Sequence, residues 1–146
     1  MLRSAAVVYA LFTLGHTLGG MLGDTHRGPQ QTALFAAMRA YSFDVQGATR
    51  SYWDFYRGFG FMVSVLLAFT AMLCWILGDI GRAHPREARR ILFVLVPAMA
   101  GTAWLSFVDF FAAPAAFSLI GFALLVASTI ALGNEASRLR SPEIAR

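Results

Sequence analysis

The stretch FYRGFGFMVSVLLAFTAMLCWIL, Phe55–Leu77, decides the fold: apart from Arg57 it carries no charge. It is long enough to cross a hydrocarbon core as a helix, which takes about 20 residues. No water is available there to bind backbone N–H and C=O groups, so a helix that satisfies them internally is the expected conformation. Three further stretches share these properties, running approximately over residues 2–22, 91–111 and 115–133. The chain is therefore expected to be all-α, an up-down bundle of four transmembrane helices forming one integral membrane domain over residues 1–146.

Composition points the same way. Hydrophobic residues make up 58% of the chain, charged residues 14%, and mean hydropathy is +0.60. A soluble domain carries roughly 25% charged residues, and so few charges here cannot clothe a surface facing water. The pI of 10.0 raises the question of nucleic acid. The densest basic group, however, is only Arg82, Arg86, Arg89 and Arg90, and the excess reads as membrane topology; no nucleic-acid partner is expected. All 12 basic residues are arginine, which, with the abundance of alanine, reads as a GC-rich coding bias. Cys74 is the only cysteine, which excludes an internal disulfide, a CxxC redox pair, a thiolate metal cage and thiol-dependent quinone reduction.

Arg3 followed by the apolar Ala5–Leu14 has the outline of a signal peptide, but the small-residue cleavage pattern is missing. The segment is expected to be retained as the first span. With the N-terminus inside, eight arginines (3, 82, 86, 89, 90, 138, 140 and 146) face the cytoplasm and four (27, 39, 50 and 57) face outward. That asymmetry predicts both termini inside and a multi-pass protein of the bacterial inner membrane.

The connections differ. Ala112-Ala113-Pro114 reads as a tight hairpin with Pro114 in the first turn of the fourth helix, and Gly78–Arg90 as a compact basic turn. Pro97 is expected to bend the third span. The first connection, about Gly23 to Tyr52, is long. Within it Leu34, Met38, Tyr41 and Val45 recur at helical spacing, predicting a short amphipathic helix over roughly Pro29–Tyr41 that lies in the outer interface. It is read either as a cover for the bundle or as a lid over a cavity mouth.

Polar residues gather toward the outer ends of the spans. Thr13, His16, Thr17, Gly20 and Asp24 fall at i, i+3, i+4, i+7 and i+11, on one helical face of the first span, and Thr102, Ser106 and Asp109 repeat the pattern on the third. The second span opens with Arg50, Ser51, Trp53, Asp54, Tyr56 and Arg57. A polar face within lipid is costly unless it meets protein or water, so these groups define the expected site. His16, Asp54 and Asp109 are the candidate catalytic groups. Thr13, Thr17, Asp24, Arg50, Trp53, Tyr56, Arg57, Trp104 and Ser106 are the candidate ligand contacts.

Each has a structural alternative. His16 either bridges to a neighbouring helix or moves a proton near neutral pH. Asp54 completes an S-x-x-D capping pattern with Ser51. Asp24 and Asp109 stand near helix C-termini, where the dipole disfavours a carboxylate, so each calls for a cationic neighbour or a ligand. The aromatic run Tyr52 to Phe61 suits an interfacial belt, and Trp104 suits packing or a cavity wall. His16, Asp24 and His26 match no metal-site spacing, and His16 is the only histidine within a span; neither metal nor haem nor any other cofactor is expected. Gly15, Gly19 and Gly23 form two GxxxG steps suited to close helix approach, within the chain or between copies.

The signature GHTLGG at 15–20, followed by RSYWDFYRGFG at 50–60, resembles a group of small bacterial four-span membrane proteins, a likeness that implies the four-span fold and no activity. The architecture is also weakly similar to the emopamil-binding-type sterol isomerases. That similarity implies a lipid-accessible cavity. Those proteins' catalytic roles do not carry over, because here the histidine is on the first span and no span contains a glutamate.

The leading expectation is thus a small membrane protein whose outward-facing amphipathic cavity binds a lipid-like or isoprenoid-type ligand, with an isomerase-like reaction as its catalytic form. The alternative is a non-catalytic accessory subunit of a larger membrane complex. Proton-coupled export is disfavoured, since no carboxylate falls at the bilayer midplane.

Overall fold

The computed structural model describes residues 1–23 and 28–138. Helix α1 spans Leu2–Leu14 and continues as a π-helical segment over Gly15–Met21. Helix α2 spans Pro29–Ala40, and strands β1 (Ser42–Val45) and β2 (Ala48–Ser51) form an antiparallel hairpin. Helices α3 (Tyr52–Ala83), α4 (Pro85–Asp109) and α5 (Ala112–Arg138) follow. Among the described residues four segments are long and apolar enough to cross a membrane: Leu2–Met21, Tyr52–Ala83, Pro85–Asp109 and Ala112–Arg138.

Their side chains are distributed as lipid requires. No more than 33% of any of the four apolar windows is buried, and large apolar side chains such as Leu11, Val65, Val94 and Ile130 point outward. Among the described residues the buried polar ones are all serine or threonine, which are small enough to let helices approach and can bond to a backbone carbonyl or to each other.

The chain forms two compact units. The first contains residues 1–12 and the chain from residue 67 onward. Its core is built on one face of α1, where Leu2, Ala5, Ala6, Tyr9 and Phe12 repeat at helical spacing. Leu67, Cys74 and Leu77 of α3, Leu92 of α4 and Leu125 of α5 complete it. Tyr9 is 1% exposed and fits only because residue 121 is glycine; a Cβ there would come within 2.6 Å of the Tyr9 ring carbon Cζ. Phe12 stacks on Phe117 with centroids 5.5 Å apart, and the Ser106 and Ser118 hydroxyls bond at 2.9 Å between α4 and α5.

Two connections in this unit are shorter than the sequence suggests. The expected basic turn Gly78–Arg90 is helical except at His84. Asp79 and Arg82 pair across one turn, Gly78 and Gly81 give room to Arg3 and Leu132, and Pro85 takes a first-turn position that needs no N–H donor. The expected hairpin at residues 112–114 moves to Phe110–Phe111: Phe110 is extended (φ −122, ψ 176) and ends α4, while Pro114 does lie in the first turn of α5. Pro97 lies inside α4, where it donates no backbone hydrogen bond.

The second unit is Thr13–Leu66. Helix α2 begins with Pro29 and ends at Ala40, close to the range read from the sequence. Val45, assigned by helical spacing to the same apolar face, is instead in β1. Tyr41 leaves the helix in an extended conformation, and Tyr41, Phe43 and Val45 then alternate as strand residues do. The two-residue turn Gln46-Gly47 has positive φ at both positions (49° and 82°), the geometry that matches the twist of a tight hairpin.

Candidate functional site

The π-helical segment GHTLGGM carries the polar groups of the first span. Leu22 N–H donates to the Thr17 carbonyl at 2.9 Å, a bond across five residues instead of four. Single turns of this kind are uncommon and cluster at functional sites. The α-helical period that grouped Thr13 with Thr17, Gly20 and Asp24 therefore holds only as far as Leu14.

His16 and Thr17, adjacent in sequence and both half-buried, converge on one hydroxyl. His16 Nδ1 lies 3.0 Å from Ser64 Oγ, and Thr17 Oγ1 donates to the same oxygen at 2.9 Å. Ser64 is 7% exposed on α3. With Thr17 donating in, the Ser64 proton is available to His16 Nδ1; its other acceptor, the Gly60 carbonyl, is at 3.5 Å, a long distance for an O–H bond. In the tautomer whose Nδ1 accepts from Ser64, Nε2–H is the remaining donor of the ring. Side chains built on Gly15, Gly19 or Gly20 would meet nothing within 4 Å, so the space beside the segment is open.

One face of α3 organises the unit. Trp53, Tyr56, Gly60 and Ser64 are spaced by three or four residues and line up along it. Phe35 of α2 packs on Trp53 (5.1 Å between centroids) and Tyr56 (6.1 Å), and the Arg39 guanidinium lies 4.0 Å over the Trp53 ring. Further along, the Met21 thioether fills the notch at Gly60, where any Cβ would collide with it. His16 and Thr17 follow at Ser64.

Asp54 and Arg50 belong elsewhere. Asp54 accepts hydrogen bonds from the Ser51 backbone N–H (2.8 Å) and hydroxyl (2.9 Å), and its own N–H points back to Ser51 Oγ at 3.3 Å, the reciprocal cap that the S-x-x-D pattern describes. Together with Arg50, Phe55, Gly58, Phe59 and Met62 it lines an open groove of about 330 Å³. At about 100° per residue, the apolar wall of this groove is on the opposite side of α3 from Gly60 and Ser64. Asp54 and Ser64 are also ten residues apart, about 15 Å of helical rise. His16 and Asp54 are not brought together.

The remaining candidates have their own surroundings. Arg57 lies over the Phe61 ring at 5.7 Å, and Thr13 is half-buried. In the other unit, Ser106 is committed to Ser118, and Thr102 donates to the Ala98 carbonyl at 3.1 Å. Trp104 lines an apolar groove of about 340 Å³ with Ala103, Phe107 and Leu119. Asp109 is the exposed last residue of α4, and no ion pair joins it to another described residue. Asp24 and His26 lie outside the described residues. Among the described residues no group of histidine, cysteine and acidic side chains is arranged to hold a metal ion.

Ser64 is the member of this cluster that the sequence reading passes over. Its signal is nonetheless present: it is the only polar residue between Gly58 and Phe69, and a hydroxyl in that setting needs a partner. Comparisons of the chain with protein-family models, curated proteins and solved structures found no match.

Proposed function

We propose that the protein binds a lipid-like or isoprenoid-type molecule beside the π-helical segment, with the free Nε2–H of His16 donating to a hydroxyl or carbonyl oxygen of the ligand. The observation that carries this reading is the His16–Thr17–Ser64 cluster: a fixed imidazole beside space left open by three glycines. Ser64 and Thr17 fix the ring, and apolar side chains around it, such as Leu18, suit the hydrocarbon part of such a ligand. In the topology read from the arginines, with both termini inside a bacterial inner membrane, this segment is in the outer leaflet and α2 lies in the interface above it. An isomerase-like reaction would use His16 as the group that moves a proton.

The test is thermal unfolding of the purified protein in detergent with a panel of isoprenoid alcohols, sterols and phospholipids. A ligand at about 100 times its Kd stabilises by about 2.7 kcal/mol, a shift of several degrees. The expected result is such a shift for an isoprenoid or sterol class, lost in His16→Ala and in Ser64→Ala. No shift with any class, or equal shifts in the variants, rejects the proposal.

The same open face supports a second reading, an accessory subunit or a homo-oligomer. Gly15 and Gly19 leave room for another helix, whereas a Cβ on Gly23 would meet the Gly19 carbonyl of its own chain at 2.6 Å. Purification in mild detergent through a C-terminal tag distinguishes the readings: a subunit brings stoichiometric partners, and a ligand-binding protein does not require them.

A further inference from the structure

At one end of the first unit the beginnings of α1 and α4 meet the ends of α3 and α5. Arg3 contacts Asp79 at 2.7 Å, Gly78 lies against Arg3, Gly81 lies against Leu132 and Ala88, and Gly133 lies against Arg89. Six arginines stand on these helix ends (3, 82, 86, 89, 90 and 138) against three acids, Asp79, Glu87 and Glu135.

The charges are unevenly matched. Arg3 and Arg82 share Asp79, and Arg3 also lies 4.1 Å over the Trp75 ring. Arg86, Arg89 and Arg90 have no ion pair with a described residue. Arg89 is held 4.9 Å over the Phe93 ring, with a buried Nε–H that meets no acceptor, so an aromatic face and not a carboxylate supports its charge. Glycine at 133 is what lets the guanidinium sit there, 3.1 Å from where a Cβ would be.

Arg86 and Arg90 lie on the side of α4 opposite its buried residues Ala88 and Leu92, and half-buried Arg89 lies on the flank between the two sides. One turn further on, the same surface is Phe93 at 57% and Val94 at 76% exposure. A cationic band therefore passes into an exposed apolar band within about 6 Å along one helix, four residues of rise. That sequence of chemistries matches an anionic phospholipid, with its phosphate at the guanidinium groups and its acyl chains along Phe93 and Val94. A soluble phosphate would leave the apolar half unused.

We infer that Arg86, Arg89 and Arg90 form a binding site for the headgroup of an anionic phospholipid, with Phe93 and Val94 as the adjoining acyl-chain surface. Polybasic clusters beside a membrane span bind such headgroups by charge, with each arginine adding to the affinity. The site shares no residue with the His16 cluster and does not depend on it.

The experiment measures binding of dioleoylphosphatidylglycerol to the full chain in detergent micelles, by native mass spectrometry and by thermal shift. Dioleoylphosphatidylcholine and inorganic phosphate serve as the comparison arms. The expected result is retention of phosphatidylglycerol, with about thirtyfold weaker binding in R86Q/R90Q. Both residues are exposed and unpaired, so this variant should fold. If it does not, salt titration of the native chain decides, because headgroup binding by charge weakens steeply as screening grows. Equal binding of phosphatidylcholine, an equal shift with inorganic phosphate, unchanged binding in R86Q/R90Q, or indifference to salt would each overturn the assignment.

Discussion

The Ser64 hydroxyl stands 3.0 Å from His16 Nδ1 and receives the Thr17 hydroxyl at 2.9 Å, so one side chain of α3 fixes two consecutive residues of the first span. Interhelical hydrogen bonds in membranes contribute on average about 0.6 kcal/mol, with about 1.7 as the upper end. Ser64→Ala is expected to destabilise the protein within that range. In a double-mutant cycle with His16→Ala, the loss for the pair should be smaller than the sum of the singles. Strict additivity would mean that the two residues do not interact.

Gly121 and Tyr9 give a sharper test of packing. An added methyl at residue 121 would lie 2.6 Å from Cζ and 2.8 Å from the hydroxyl of a ring that is itself 1% exposed. Overpacking of this kind costs about 1–3 kcal/mol. Gly121→Ala should lower the melting temperature by several degrees, and a smaller residue at position 9 should recover part of the loss. An unchanged melting temperature would show that Tyr9 has another place to go.

The cap at the start of α3 predicts a local effect. Ser51→Ala removes the hydroxyl that both donates to Asp54 and accepts from its N–H, at a cost of about 1 kcal/mol. Hydrogen exchange should speed up in the first turn of α3, from Tyr52 to Asp54, and remain slow from Leu67 to Leu77. A uniform increase along the helix would argue for global destabilisation instead.

Cys74 is 0% exposed in the core of the first unit. A maleimide should therefore fail to label the native protein in detergent and should label it fully after denaturation. Rapid native labelling would mean that the packing between α1 and α3 opens readily.

The spans were legible because their signal is collective: twenty apolar residues in a row outweigh any local preference. The S-x-x-D cap was legible for the opposite reason, being a short-range bond between residues three apart. The hairpin was not, since Tyr41 and Val45 also fit a helical spacing with Leu34 and Met38, and Gln46-Gly47 is a weaker turn signal than Asn-Gly. Helix α3 continues past the apolar run into the expected basic turn, because Asp79 and Arg82, which resemble the edge of a loop when read singly, support a helix as a pair one turn apart. The π-helical segment has no reliable sequence mark. Its bonding pattern depends on which carbonyl each N–H reaches, and that cannot be read from the GHTLGGM residues alone. Ser64 is half-legible for a related reason: a lone hydroxyl in an apolar run marks the need for a partner, but which residues meet it cannot be read from the run itself.

A helix that closes its bonds over five residues holds more chain per turn than its α-helical neighbours. The segment after Leu14 therefore has a residue to spare, and loss of Gly20 should let it rewind as a regular helix with its ends nearly where they were. Most one-residue deletions in a membrane span turn everything beyond them to a new direction; here the chain would be shortened and still insert and fold, while His16 would lose its hold on Ser64. Tolerance of length in this one stretch, with the contact between His16 and Ser64 gone, is the behaviour expected of a coil kept loose for its side chains and not for its backbone.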